Sequence, residues 1–202
     1  MQKVYLLFLS FSIVFFSVHG QTDIEKEIIS YLIEEEFSPV PDESFIDGNE
    51  QDKNLKDQEE ISIIIISESR IQTFNTGFDS LERFQKRGLA SLDLYTMNDF
   101  FKKNQSSIKI AKFSLDKIKI IYMSQEEWDG IMKQGSWKQY HSIYGYIPII
   151  NLSRPGINES LNKAFFYYDA KSDKLGGAGF LITLEKVDNK WIIKEKIIAW
   201  RS

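Results

Sequence analysis

A single histidine and several aromatic residues form the group in this chain whose types best suit binding or catalysis. His141 lies between Tyr140 and Tyr144 and close to Trp137, and Arg154 follows in an SRPG segment. An imidazole that a carboxylate orients can act as a general base, and Tyr and Trp suit clefts in which one end of the side chain stays wet. A guanidinium can bind a carboxylate or phosphate through two hydrogen bonds.

These residues predict a pocket between a helical segment at 124–144 and a sheet. The ligand-binding candidates are Trp137, Tyr140, His141, Tyr144 and Arg154. Each has a structural alternative, because aromatic stripes usually form cores and a turn arginine usually pairs with a local acid such as Glu159.

Two further motifs fit structural roles better than chemical ones. The glycines at 176–179 precede a strand, whereas a phosphate loop needs a helix directly after it, so a turn or bulge is predicted. Glu126, Glu127 and Asp129 lie in the first turn of a predicted helix, where the helix dipole favours acids. We therefore predict no catalytic residue.

Composition excludes several classes of site. The chain has no cysteine, which excludes thiol nucleophiles, thiolate zinc sites and iron–sulfur clusters. One of the two histidines, His19, lies in the first 20 residues, so His141 has no histidine partner for a metal in the remainder. Basic residues are scattered and form no recognition motif. We predict no metal, no cofactor and no nucleic-acid partner.

Residues 1–20 have the three-part layout of a secretory signal peptide. Lys3 precedes an apolar run, and Val18 and Gly20 place small residues at positions −3 and −1 before Gln21. The alternative is a membrane anchor, but the run from 4 to 18 is shorter than the roughly 20 residues that a spanning helix needs. We predict cleavage near Gly20/Gln21, a secreted or periplasmic protein, and no transmembrane segment after signal removal.

Charge is distributed unevenly along the chain. Residues 22–60 contain 14 acids and 3 bases, whereas residues 61–202 contain 15 acids and 21 bases. The acidic segment is either a solvated helix and linker or a segment that folds back on the basic body.

Local patterns divide the chain into three parts. Residues 1–20 are the signal, residues 21–60 an acidic helix and flexible linker, and residues 61–202 a single α+β domain. The helix at 22–37 has an apolar stripe and begins with a capping box of Thr22 and Glu25. Residues 42–60 are acidic and poor in large apolar groups, which is typical of a linker.

The body combines helices with strands. Strands are predicted at 61–66 and 117–123, and helices begin at Thr96 and Ser124. Strands at 146–151, 163–170, 178–187 and 190–200 follow one another with short turns, which indicates a meander. The predicted class is α+β, with N-terminal helices packed on one face of a curved antiparallel sheet that ends in a C-terminal β-meander.

Several sequence blocks suggest a family. They are MNDFFKKN, GSWKQYHSIYG, NLSRPGIN, KAFFYYD, GGAGF and KWIIKEKIIAWRS, between residues 97 and 202. Through these blocks the chain resembles small secreted bacterial proteins of the Bacteroidetes type, a family without an assigned reaction. The resemblance implies an exported single domain. The strand pattern is also similar to cystatin-like and nuclear-transport-factor-like α+β domains, by architecture alone.

These observations predict an exported, non-catalytic domain that binds a small molecule or another protein at the cell envelope or outside the cell. One alternative is an envelope hydrolase that uses His141 or carboxylates in an aromatic cleft; it requires an acid within hydrogen-bond reach of His141. The other is a small protein inhibitor, which requires a protruding hairpin or terminal segment.

Overall fold

The computed structural model describes residues 21–38, 60–70, 80–134 and 136–202. The predicted signal peptide and nearly all of the predicted linker lie outside these ranges. The helices are α1 (Asp23–Phe37), α2 (Leu81–Lys86), α3 (Leu94–Lys103), α4 (Gln125–Gln134) and α5 (Trp137–Tyr144). The strands are β1 (Ile61–Ile66), β2 (Ile118–Met123), β3 (Ile149–Leu152), β4 (Gly156–Ile157), β5 (Lys163–Lys171), β6 (Gly177–Val187) and β7 (Lys190–Arg201).

Within the described ranges, the strands form one sheet of order β2-β1-β3-β5-β6-β7, with β4 beside β5. The α+β class and the C-terminal meander are confirmed, since β5, β6 and β7 pair antiparallel. The sheet is nevertheless mixed, because β1 is parallel to both β2 and β3. The connections that contain α2–α3 and α4–α5 are crossovers, and a crossover returns the chain parallel to the strand it left.

Helices cover both faces of the sheet, whereas the sequence predicted one covered face. On one face, α1 packs its apolar stripe against alternate residues of the central strands, including Ile63 and Ile65. On the other face, Phe165 packs in a cluster with α2 and α3, and Ile64 and Ile66 pack in a cluster with α4 and α5. Successive side chains of a strand point to opposite faces, so β1 is apolar throughout.

The acidic helix α1 is part of the main core. Four of its residues, Ile28, Ile29, Leu32 and Ile33, are at most 2 % exposed. Its acids meet bases of the sheet, since Glu27 pairs with Lys186 at 3.0 Å and Glu36 pairs with Lys196. The described part of the acidic segment therefore packs on the sheet, and the masking of a basic face from partners stays a prediction.

Short-range signals set several element ends. The Thr22 hydroxyl accepts a hydrogen bond from the backbone N–H of Glu25, and the Ser124 hydroxyl accepts one from Glu127. Asp188 and Asn189 adopt positive φ in the β6–β7 turn, as a tight hairpin requires. The start of α3 was predicted wrongly. Its cap is Asp93, whose carboxylate accepts from the N–H of Thr96 at 2.8 Å, so Thr96 lies inside the helix.

Among the helices in the described ranges, none combines the length and apolar character needed to cross a bilayer.

Candidate functional site

A strip of polar side chains crosses the central strands on the face that carries α2–α5. We call Arg70, Asn151, Asp169 and Lys171 the polar strip. It separates two apolar clusters, one around α2 and α3 and the other around α4 and α5. Central strands of a sheet are normally covered by apolar side chains, so a polar strip at this position is a candidate site.

The backbone that follows β1 is fixed on both sides. Ser67 N–H donates to the carbonyl of Met123, and Arg70 N–H donates to the carbonyl of Leu152, each at 2.8 Å. The buried Ser69 hydroxyl accepts from the N–H of Ile108 at 3.0 Å. These bonds extend the sheet beyond β1 and fix the backbone from which the Arg70 side chain extends.

Asp169 is the centre of the strip. Its side chain is fully buried, and its carboxylate accepts from the Arg70 guanidinium, from Asn151 Nδ2 at 2.8 Å and from the Tyr167 hydroxyl at 2.9 Å. A buried carboxylate is tolerated when it is paired and hydrogen-bonded, and these three donors meet that condition. Asp169 therefore holds Arg70 in place.

The Tyr167 hydroxyl links Asp169 to the last strand. It accepts a hydrogen bond from Trp200 Nε1 at 2.9 Å while it donates to Asp169. Burial, and next the Asp169 charge, raises the pKa of Tyr167 to about 12, so the hydroxyl stays protonated. The Trp200 indole lies directly over Gly179, where a Cβ would stand less than 3.0 Å from three of its ring atoms. The absence of a side chain at Gly179 makes room for the indole.

A cavity of about 570 Å³ lies over the strip. Its lining residues are Glu68, Ser69, Arg70, Ser107, Gln125, Trp128, Asn151 and Lys171. Glu68 and Gln125 follow β1 and β2, so part of the lining lies at the carboxyl ends of parallel strands, the usual place for a ligand in open sheets with such strands. The volume lies within the range of small-molecule sites.

The opposite part of the lining comes from α4. The N–H of Gln125 donates to Glu68 Oε2 at 2.9 Å, and the Ser67 hydroxyl donates to the same oxygen at 3.0 Å. Trp128 packs edge-on against Tyr140, with ring centroids 5.7 Å apart. The cavity thus has charged and hydrogen-bonding groups on one side and an aromatic ring on the other.

Three of the five predicted binding residues belong to the aromatic packing of α5. Tyr140 is fully buried and donates its hydroxyl to the carbonyl of Ile147 at 2.6 Å. Burial, and next the charge of Tyr144, raises the pKa of Tyr140 to about 12. Trp137 packs edge-on against Tyr140, and Tyr144 donates to Glu127 at 2.8 Å. Burial and this bond to Glu127 also raise the pKa of Tyr144.

His141 connects α5 to the turn between β5 and β6. Its Nε2 lies 2.8 Å from the carbonyl oxygen of Ser172, which makes this nitrogen the protonated donor. Its ring packs on Tyr146, with centroids 4.4 Å apart. Among the described contacts, none joins a carboxylate to His141.

The structure places Arg154 away from α5. Its guanidinium binds Glu25 of α1, with Nη2 3.0 Å from Oε1 and Nε 3.3 Å from Oε2. Lys103 Nζ lies 3.2 Å from the same Glu25 Oε1. Both Arg154 and Glu25 are buried. The carboxylate that the guanidinium binds therefore belongs to this chain and not to a ligand. Ligand binding by the five residues stays a prediction, and the structure does not bring Arg154 together with the other four.

The polar strip was not predicted from the sequence, although a signal for it exists. Asp169 falls at an inward position of the alternating segment KAFFYYD, and Asn151 interrupts the apolar segment IINL. A polar residue at a core-facing position of a buried strand needs a partner or a function. The partner, Arg70, lies 99 residues away, which is why the local pattern could not name it.

No protein-family model, curated protein or solved structure matches this chain. The resemblance to small secreted bacterial proteins therefore stays a prediction. The fold and site define a class by themselves, namely a mixed-sheet α+β domain with a polar cavity beside the ends of its parallel strands.

Proposed function

We propose that this protein is an exported, non-catalytic domain that binds a small polar molecule in the cavity over the polar strip. The observation that supports this proposal is the fixed position of Arg70 on the cavity lining, held by a buried carboxylate with two further donors. Preorganised polar groups in a concave site reduce the entropic cost of binding. A purely structural ion pair would not require a cavity of this size beside it.

Blocking the cavity is expected to weaken binding. The purified protein is screened by thermal shift against sugars, peptides, lipids and divalent ions, and each hit is measured by calorimetry, because a ligand of the folded state raises the melting temperature. Gln125→Trp places a large ring at the exposed start of α4, where Gln125 lines the cavity. We expect binding to weaken about tenfold or more, which corresponds to about 1.4 kcal/mol.

Glu126→Trp is the matched control, since Glu126 is the next residue of α4, is exposed and does not line the cavity. It is expected to bind every hit as the wild type does. Hits that bind equally to both variants would place the ligand elsewhere. A screen with no hit at millimolar concentrations would contradict the proposal of a small-molecule ligand.

Export is expected to remove the first 20 residues. When the full chain is expressed in a bacterium, the N-terminus in the periplasm or medium should be Gln21, by mass spectrometry. Gly20→Trp places a large residue at position −1 and should leave the signal attached. Recovery of an intact chain from the cytoplasm, with no processed form, would contradict export.

The hydrolase and the inhibitor stay alternative predictions. The hydrolase requires an acid at His141, and the partner described for Nε2 is the Ser172 carbonyl. Hydrolysis of an envelope substrate that is lost in His141→Ala, with the fold intact, would favour the hydrolase over the binding domain.

A further inference from the structure

The charges on the cavity lining bear on the kind of molecule that fits there. Among the described residues of the lining, Arg70 and Lys171 are cationic and Glu68 is acidic. Asp169, behind Arg70, is fully buried and already accepts from three donors. Its carboxylate is therefore engaged in holding Arg70 and is not offered to a ligand.

Arg70 keeps most of its hydrogen-bonding capacity. A guanidinium has five N–H donors, and the Asp169 bond is made through Nη1. The side chain is 40 % exposed, and its Cζ lies 5.6 Å from the centre of the Tyr167 ring. With one end fixed by Asp169 and one face against a ring, the guanidinium is oriented before any ligand arrives. A planar group of this kind suits a carboxylate or phosphate.

Lys171 brings a second cation to the same part of the lining. It lies two residues after Asp169 in β5 and therefore points to the same face of the sheet. Its Nζ lies 5.2 Å from the centre of the Trp200 ring, and among the described residues no acid pairs with it. A ring contact uses the charge but leaves the ammonium N–H donors available.

We infer that the ligand presents an oxyanion, a carboxylate or a phosphate, to Arg70 and Lys171. This inference rests on the proposed binding function. The acid that pairs with Arg70 is buried behind it, and no acid among the described residues pairs with Lys171. These two cations favour an anionic group, because that group gains two charge-assisted interactions. Glu68, on the same lining, keeps a carboxylate for a hydroxyl or ammonium group of the ligand. A ligand that combines an anionic group with hydrogen-bond donors matches this arrangement.

The test uses succinate, inorganic phosphate and neutral succinamide at constant ionic strength. The four tryptophans of the chain provide indole N–H signals for NMR. Trp128 lines the cavity, Trp200 contacts Lys171, and the buried Trp191 packs in the α1-side core. Succinate or phosphate should shift the Trp128 and Trp200 signals and leave Trp191 in place, and succinamide should shift none. The anion that binds with the higher affinity shows whether the ligand group is a carboxylate or a phosphate.

Lys171→Met should weaken binding of the effective anion about tenfold, the cost of one charge-assisted interaction. Lys174→Met is the matched control, since Lys174 is exposed in the adjoining turn and does not line the cavity. Anion binding as strong in Lys171→Met or in Gln125→Trp as in the wild type would overturn the inference, and so would the absence of any shift. A neutral screening hit could bind more weakly to Gln125→Trp than to the wild type and equally well to Lys171→Met. In that case the oxyanion inference fails and the proposed binding function stands.

Discussion

Arg154→Met is expected to lower the free energy of unfolding by about 3–5 kcal/mol, the usual cost of breaking a buried ion pair. The variant leaves the carboxylate of Glu25 fully buried with Lys103, 3.2 Å away, as its remaining cation. The guanidinium otherwise meets both carboxylate oxygens, at 3.0 Å and 3.3 Å. Urea unfolding of the purified variant, followed by tryptophan fluorescence, measures the loss.

A double variant distinguishes the loss of the ion pair from the loss of the Arg154 side chain itself. Glu25→Leu combined with Arg154→Met removes both charges and should recover much of the lost stability, since apolar replacement of a buried pair is often nearly neutral. Glu27→Gln is the control on the same helix. Its partner, Lys186, lies in a partly exposed pair, so we expect a loss of at most about 1 kcal/mol. A double variant no more stable than Arg154→Met would contradict the assigned role.

Gly156→Ala is expected to lower stability by at least about 3 kcal/mol or to prevent folding, because overpacking against backbone leaves little room for relaxation. A Cβ at this position would lie under 3.0 Å from the backbone nitrogen of Phe100 and the backbone oxygen of Thr96, both in α3. The neighbouring N–H of Ile157 donates to Asp99 Oδ2 at 2.8 Å, which ties β4 to the same helix. Separation of α3 from β4 would break this bond.

Gly130→Ala is the matched control, since the same substitution should raise stability at this position. Gly130 lies within α4, and a Cβ there would have no atom within 4 Å. Alanine is favoured over glycine in a helix by about 0.5–1 kcal/mol, so this variant should be slightly more stable than the wild type. Thermal unfolding of both variants provides the comparison. Equal melting temperatures for Gly156→Ala and the wild type would show that α3 does not pack closely on β4.

The hydrogen bonds of Glu25 and Asp93 show which contacts a local sequence pattern can predict. The sequence predicted a capping box at Thr22 and Glu25, and the hydroxyl half of that box is present. The Glu25 carboxylate instead accepts a hydrogen bond from Arg154, 129 residues away, and no local pattern predicts this contact. At α3 the reverse occurred, because Asp93 was not recognised as a cap and Thr96 was placed at the start of the helix.

Glu195 shows the same limit in the last strand, because its hydrogen-bond partners come from distant parts of the chain. Burial alone would raise the pKa of this carboxyl, but hydrogen bonds from Ser91 and Thr183 outweigh it and lower the pKa below its usual value. The contact ties the loop after α2 to β7, and its partners lie up to 104 residues apart.

By itself, the sequence determined the α+β class, the C-terminal meander, the starts of α1 and α4 and the β6–β7 turn, because capping bonds, turn residues and side-chain periodicity act within a few residues. Only the tertiary structure decided that β1 runs parallel to its two neighbours and that α1 lies opposite the other helices. It also decided which charges meet, since Arg70 reaches Asp169 and Arg154 reaches Glu25 only when distant strands and helices pack together. The candidate site depends on that packing, because its lining comes from segments that the sheet order brings side by side.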